Sequence, residues 1–83
     1  ASRTIQEGLP NINQLRATGQ ISVPFLRIDM HVYSGDATKR FVFVNMSKYR
    51  EGDRLEEGPT IEEITTEGLP MVSEGRRFRL DRD

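Results

Sequence analysis

The chain reads as an all-β domain: a small antiparallel β-sandwich or half-barrel of about six short strands behind a loosely structured N-terminal arm. Three observations carry this expectation. Ile28 to Tyr33 alternates, with Ile28, Met30 and Val32 on one side and Asp29, His31 and Tyr33 on the other, which is the period of a half-buried strand. Phe41-Val42-Phe43-Val44 is apolar on both sides, as expected of a central strand covered on two faces. Beyond it, Gly52, Gly58, Gly68 and Gly75 separate strand-sized segments at short intervals, the punctuation of an antiparallel meander.

Taken in order, residues 1–27 differ from the rest of the chain. Pro10, Asn11, Asn13, Gly19 and Pro24 interrupt any long element. Ile12, Leu15 and Arg16 stand at helical spacing, so one or two helical turns fit between Pro10 and Ala17. The expectation is an arm or linker over 1–27 whose Ile12, Leu15, Phe25 and Leu26 dock on a β-domain spanning 28–83. The strand at Ile28 to Tyr33 and the run at Phe41 form a hairpin across the polar loop Ser34 to Arg40. Asn45-Met46 then falls where a tight turn into Lys48-Tyr49-Arg50 belongs. Asn tolerates positive φ, but Met is a poor second turn residue, so a longer or strained turn is expected. Thr60 to Thr66 reads as a strand with an irregularity, because Ile61 and Ile64 break alternation. Leu69 to Ser73 contains Pro70, which cannot donate to a ladder and predicts an edge or bulged strand. In Arg76 to Leu80, Phe78 and Leu80 face inward and Arg77 and Arg79 outward; Phe41 is likewise expected inside.

Bulk composition narrows the function classes. With 83 residues, 35% hydrophobic and 30% charged, the chain suits one ordinary domain. It has no cysteine, which removes disulfides, thiolate metal sites and thiol nucleophiles together. The net charge of −1 calls for neither a nucleic-acid nor an anionic-membrane partner. No run approaches a membrane span and no leader is visible at the start.

The residues that could carry chemistry are few. His31 is the only histidine; a base or metal ligand needs company, and only Asp29 stands near on the expected strand face. Its plainer role is a partly exposed strand residue beside Tyr33. Glu51, Asp53, Glu56, Glu57, Glu62 and Glu63 are acidic, but Glu51-Gly52-Asp53 is only a fragment of a calcium loop, and a solvated rim is expected. Arg76, Arg77, Arg79 and Arg82 form a basic strip, the basis of an alternative reading as a small nucleic-acid-binding domain. Few aromatics are left to interleave with it. No phosphate loop, nucleophile elbow or metal-binding helix motif occurs. The expectation is a non-enzymatic domain without cofactor or metal.

The ordered set His31-Val32-Tyr33-Ser34, Arg40-Phe41-Val42-Phe43-Val44-Asn45 and Tyr49-Arg50-Glu51-Gly52-Asp53-Arg54-Leu55, continued by Gly58, Ile61-Glu62-Glu63-Ile64-Thr65, Gly68 and Gly75-Arg76-Arg77-Phe78-Arg79-Leu80, resembles the C-terminal periplasmic domain of the general secretion pathway protein B family of bacterial type II secretion. The resemblance covers about residues 28–80. Met46 departs from it, since the family usually has glycine there, and so does Pro70. The resemblance implies a scaffold anchored in the inner membrane by an N-terminal helix absent from this chain. Its periplasmic domain would bind the outer-membrane secretin's periplasmic N-terminal domains and help the secretin assemble. The ATPase A protein of the same pathway is a further implied partner, and the fold resembles the small β-domain of the pathway's C protein. The candidate contact is edge docking through Ile28, Asp29, Met30, His31, Val32 and Tyr33.

Overall fold

The computed structural model describes residues 9–81. Two three-stranded antiparallel sheets share one hydrophobic core. The first orders β1 (Ile28–Val32), β2 (Phe41–Val44) and β3 (Ser47–Tyr49) as β1-β2-β3. The second orders β4 (Thr60–Ile61), β5 (Gly68–Ser73) and β6 (Arg76–Asp81) as β4-β5-β6. The all-β architecture and its strand number are as the sequence predicts.

One short helix, α1 (Ile12–Ala17), precedes the strands. Asn11 caps it by accepting from the Asn13 N–H at 2.7 Å, while the Gln14 side chain accepts from the Asn11 N–H at 2.9 Å, a reciprocal capping box. Ile12, Leu15 and Leu26 enter the common core as expected. Phe25 does not: it is 69% exposed. The upstream segment also covers the open side of β6, where the Arg79 N–H donates to Pro10 O at 2.9 Å. Covering an edge this way removes a template for unwanted pairing. The part of the expected arm over residues 1–8 lies outside the described residues.

Two two-residue hairpins set the registers. Asn45 and Met46, with φ of 51° and 71°, join the paired residues Val44 and Ser47. Glu74 and Gly75, at 52° and 78°, join Ser73 and Arg76 in the same way. Positive φ at both central residues matches the twist of the flanking strands. The first turn is thus tight, with Met46 in a conformation that costs a side-chain-bearing residue.

The core alternates as the strand period demands. Val42, Val44 and Tyr49 point inward from the first sheet, and Ile61, Leu69, Met71, Phe78 and Leu80 from the second. Removing Phe78 from water contributes about 2–3 kcal/mol by apolar area alone.

Other expectations besides Phe25 need correction. Phe41 is only half-buried, because Val42 and Val44 take the core side of β2. The strand that is buried almost throughout is β5. That strand is also central, not at an edge, despite Pro70. The hairpin at Glu74-Gly75 puts Ser73, Met71 and Leu69 in hydrogen-bonded pairs with β6, which turns the Pro70 nitrogen towards β4. But β4 pairs only Thr60 and Ile61, so the ladder ends there and needs only the Pro70 carbonyl, which accepts from the Glu62 N–H at 2.9 Å. The strand expected over Thr60 to Thr66 accordingly stops at Ile61, although Ile64 still fills the core. The face that β1 turns to the core also differs from the expected one.

Candidate interaction site

The side chains of β1 are redistributed by a bulge. Ile28 pairs with Val44 and Met30 with Phe43, so Asp29 is an extra residue opposite a single step of β2. Because side chains alternate, one extra residue exchanges the two faces beyond it. Ile28 stays on the core side, but from there His31 lies opposite inward Val42, while Met30 and Val32 lie opposite Phe43 and Phe41. The expectation that Met30 and Val32 point in and His31 points out is therefore overturned. Met30 is 51% exposed and His31 is half-buried.

Each candidate residue now has a definite place. His31 Nε2 lies 2.6 Å from Thr65 O; facing a carbonyl, that nitrogen carries the proton and donates. This joins β1 to the loop that leads into β5. Asp29 does not meet His31. Its carboxylate accepts from the Met46 N–H at 2.7 Å and from Arg27 Nε at 2.7 Å. The Met46 hydrogen bond, aided by the Arg27 charge, holds the Asp29 carboxyl below the usual carboxylate range. The bulge thus aims a carboxylate at the backbone of the strained turn. Tyr33, 44% exposed, lies under the Arg40 guanidinium with 4.5 Å from Cζ to the ring centroid.

Arg40 organises that end of the sheet. Its Nη1 donates to Glu51 Oε2 at 2.9 Å and its Nε to Ser34 O at 2.5 Å. Glu51 Oε2 also accepts from the Ile64 N–H at 2.8 Å, so one carboxylate ties the β1–β2 loop to the segment after β4. The Glu51 hydrogen bond and charge raise the Arg40 pKa further above its already high value. Asn45, read from the sequence only as a turn residue, has a larger part. Its side chain accepts from the Arg27 N–H at 3.0 Å and donates to Phe25 O at 2.9 Å and Glu57 Oε2 at 3.0 Å. No local pattern signals those partners, which are remote in sequence.

The outer face of the first sheet is an ordered array. Met30, Phe43 and Lys48 lie in one cross-strand row, and Val32 and Phe41 in the next. Phe41 and Phe43 meet edge-on with centroids 6.2 Å apart, and Lys48 Nζ stands 4.6 Å from the Phe41 centroid. At the hairpin tip Met46 is 76% exposed. The edge of β1 adjoins this face, since β1 pairs with β2 alone among the described residues.

Other candidate chemistry does not assemble. Among the described residues no group of three or more His, Asp or Glu side chains is placed to hold a metal ion. The arginine strip is engaged within the domain: Arg77 pairs with Glu62 at 3.1 Å, Arg79 with Asp81 at 2.8 Å, and Arg76 donates to Gln20 Oε1 at 3.0 Å. Arg82 lies outside the described residues. Nothing in this arrangement favours the oligonucleotide reading. Among the described residues no helix is long and apolar enough to cross a membrane.

The sequence model of the family described as type II secretion system protein B matches residues 23–82, most of the chain. The chain belongs to that family. General secretion pathway protein B of Dickeya dadantii (strain 3937) is 36% identical over 59 residues, covering 71% of this chain and 27% of the relative. This chain therefore spans about a quarter of that relative's length. The crystal structure of Dickeya dadantii GspB from the type 2 secretion system superposes with a TM-score of 0.65 at 36% identity, covering 70% of this chain and 69% of that one. A protein B family member is a component of the type II secretion system. The edge and face of β1 described above lie wholly inside the matched residues.

Proposed function

We propose that this domain is a non-enzymatic scaffold of the type II secretion system that works in the periplasm. It binds the periplasmic N-terminal domains of the outer-membrane secretin and helps the secretin assemble. The observation that carries the reading is the edge position of β1 beside an exposed apolar face, in a family whose members belong to this secretion machinery. An edge strand offers its backbone to a partner strand, and neighbouring side chains select which strand pairs. The contact set is Ile28, Asp29, Met30, His31, Val32 and Tyr33. Within it Met30, Val32 and Tyr33 meet the partner, whereas Ile28, Asp29 and His31 hold the strand in place. Attachment to the inner membrane would come from a helix outside this chain, and the ATPase A protein of the same pathway is the second partner to try.

The test is an NMR titration of the isotope-labelled domain with the secretin's periplasmic N-terminal domains. Saturable shifts in β1 and its neighbours, lost in Met30→Glu, are expected. Substitutions at Asp29 or His31 are poor probes, because both side chains hold the fold. Absence of shifts in β1 at saturating secretin would overturn the secretin reading and leave the ATPase partner to be titrated next.

A further inference from the structure

The four most exposed large hydrophobic residues among those described are Phe25, Met30, Tyr33 and Met46. All belong to the first sheet, its hairpin tip or the segments flanking β1, and none to the second sheet. Of these, Met30 lies on the outer face of the sheet opposite Phe43, where exposed apolar surface marks a contact region. Charge is concentrated there too. From Arg27 to Arg50 the chain carries five basic and two acidic side chains, net +3, within a total of −1.

The array on this face has a direction. Arg50 comes just after β3, and its Nη1 donates to Thr38 O in the β1–β2 loop at 2.6 Å, which leaves its charge without a carboxylate. The face grades from apolar Met30 and Val32 on β1, through aromatic Phe41 and Phe43 on β2, to cationic Lys48 on β3, with Arg50 just beyond that strand's end. Lys48 and Arg50 make no ion pair with a carboxylate among the described residues. Two such cations beside partly exposed aromatic rings call for carboxylates from outside.

We propose that this outer face of β1–β2–β3 is a docking site for an acidic protein segment with apolar anchors. Its apolar side chains bury Met30 and Phe43, and its carboxylates lie against Lys48 and Arg50. A second copy of this chain fits poorly. A two-fold pairing of the face sets the cationic side either against itself or against the apolar side. Single-stranded nucleic acid fits poorly as well, because bases need open aromatic planes. Here Lys48 occupies a face of Phe41, and the two rings meet at an interplanar angle of 74°. The site extends the proposed secretin contact from the β1 edge onto the sheet, and it rests on that reading only for the partner's identity.

The test uses the labelled domain with three probes: the secretin's periplasmic N-terminal domains, a synthetic peptide alternating Leu or Phe with Glu, and the same peptide with Lys for Glu. A single-stranded oligonucleotide serves as a fourth. The expected result is saturable shifts at Met30, Phe43, Lys48 and Arg50 with the Glu peptide but not the Lys peptide. Binding should weaken steeply with salt and fall by about tenfold in Lys48→Glu at low ionic strength. Met30→Ser, an exposed change, is expected to weaken binding without altering its salt dependence. If the Glu peptide docks while the secretin does not, the face stands and the secretin reading fails. If the secretin shifts only the β1 edge and Lys48→Glu leaves its affinity unchanged, this inference is overturned while the secretin reading survives. Equal binding of the Glu and Lys peptides, or tighter binding of the oligonucleotide, also overturns it.

Discussion

Replacing Met46 with glycine probes the strain at the tip of the β2–β3 hairpin. Met46 has a φ of 71° and its side chain is 76% exposed. A left-handed backbone costs a residue with a Cβ about 1–2 kcal/mol, and glycine escapes that cost. Against this, glycine adds conformational freedom to the unfolded chain, offsetting about 0.4–1 kcal/mol. Little burial is lost, because most of the Met46 side chain faces water. The balance is a stabilisation of about 0.5–1 kcal/mol. In a domain of this size that raises Tm by roughly 2–8 °C. Thermal unfolding followed by circular dichroism measures the shift, and a urea titration should show a higher midpoint at unchanged slope. Gly75→Ala is the reciprocal control: Gly75 has φ of 78° and open space where a Cβ would be built, so only backbone strain is added. The loss should be about 0.5–1 kcal/mol, the same strain less the same unfolded-state offset. A lower Tm for Met46→Gly, or an unchanged Tm for Gly75→Ala, would refute the argument that these hairpins are governed by left-handed strain.

Three further outcomes are expected from the same geometry. His31→Glu sets a carboxylate against the Thr65 carbonyl and should destabilise the domain by about 1–3 kcal/mol, with His31→Gln, which keeps a donor, losing less; urea unfolding at neutral pH checks both. The lowered Asp29 pKa means its carboxylate stabilises the fold above the ordinary carboxylate range, and that contribution is lost as pH falls through the folded value. Asp29→Asn should therefore flatten the acid limb of a stability–pH profile, and an unaltered limb would count against the Met46 contact. Asn11→Ala removes the α1 cap and the 2.6 Å hydrogen bond from Asn11 Nδ2 to Asp81 Oδ2. It should cost about 1 kcal/mol in chemical unfolding and speed hydrogen exchange at the Arg79 amide, which the same segment covers.

Much of this protein was legible one segment at a time. Alternating and apolar runs marked the strands, Glu74-Gly75 marked a hairpin, and the spacing of Ile12 and Leu15 marked α1. Those signals are local, because a strand's period and a turn's φ requirement are satisfied within a few residues. The ordered motifs from His31 to Leu80 likewise carried the family. The candidate site was only half legible. Ile28 to Val32 was readable as a strand, but which of its side chains meet solvent was not. Asp29 became the extra residue of a bulge only when β1 was registered against β2, and that single residue exchanged Met30 with His31. Pro70 could be judged only once β4 was known to end at Ile61, leaving the proline nitrogen facing no ladder. Phe41 had to yield the core side of β2 to Val42 and Val44 for the same kind of reason. Periodicity tells which side chains share a face. Which face turns to water depends on register and sheet order, and these are decided between segments remote in sequence.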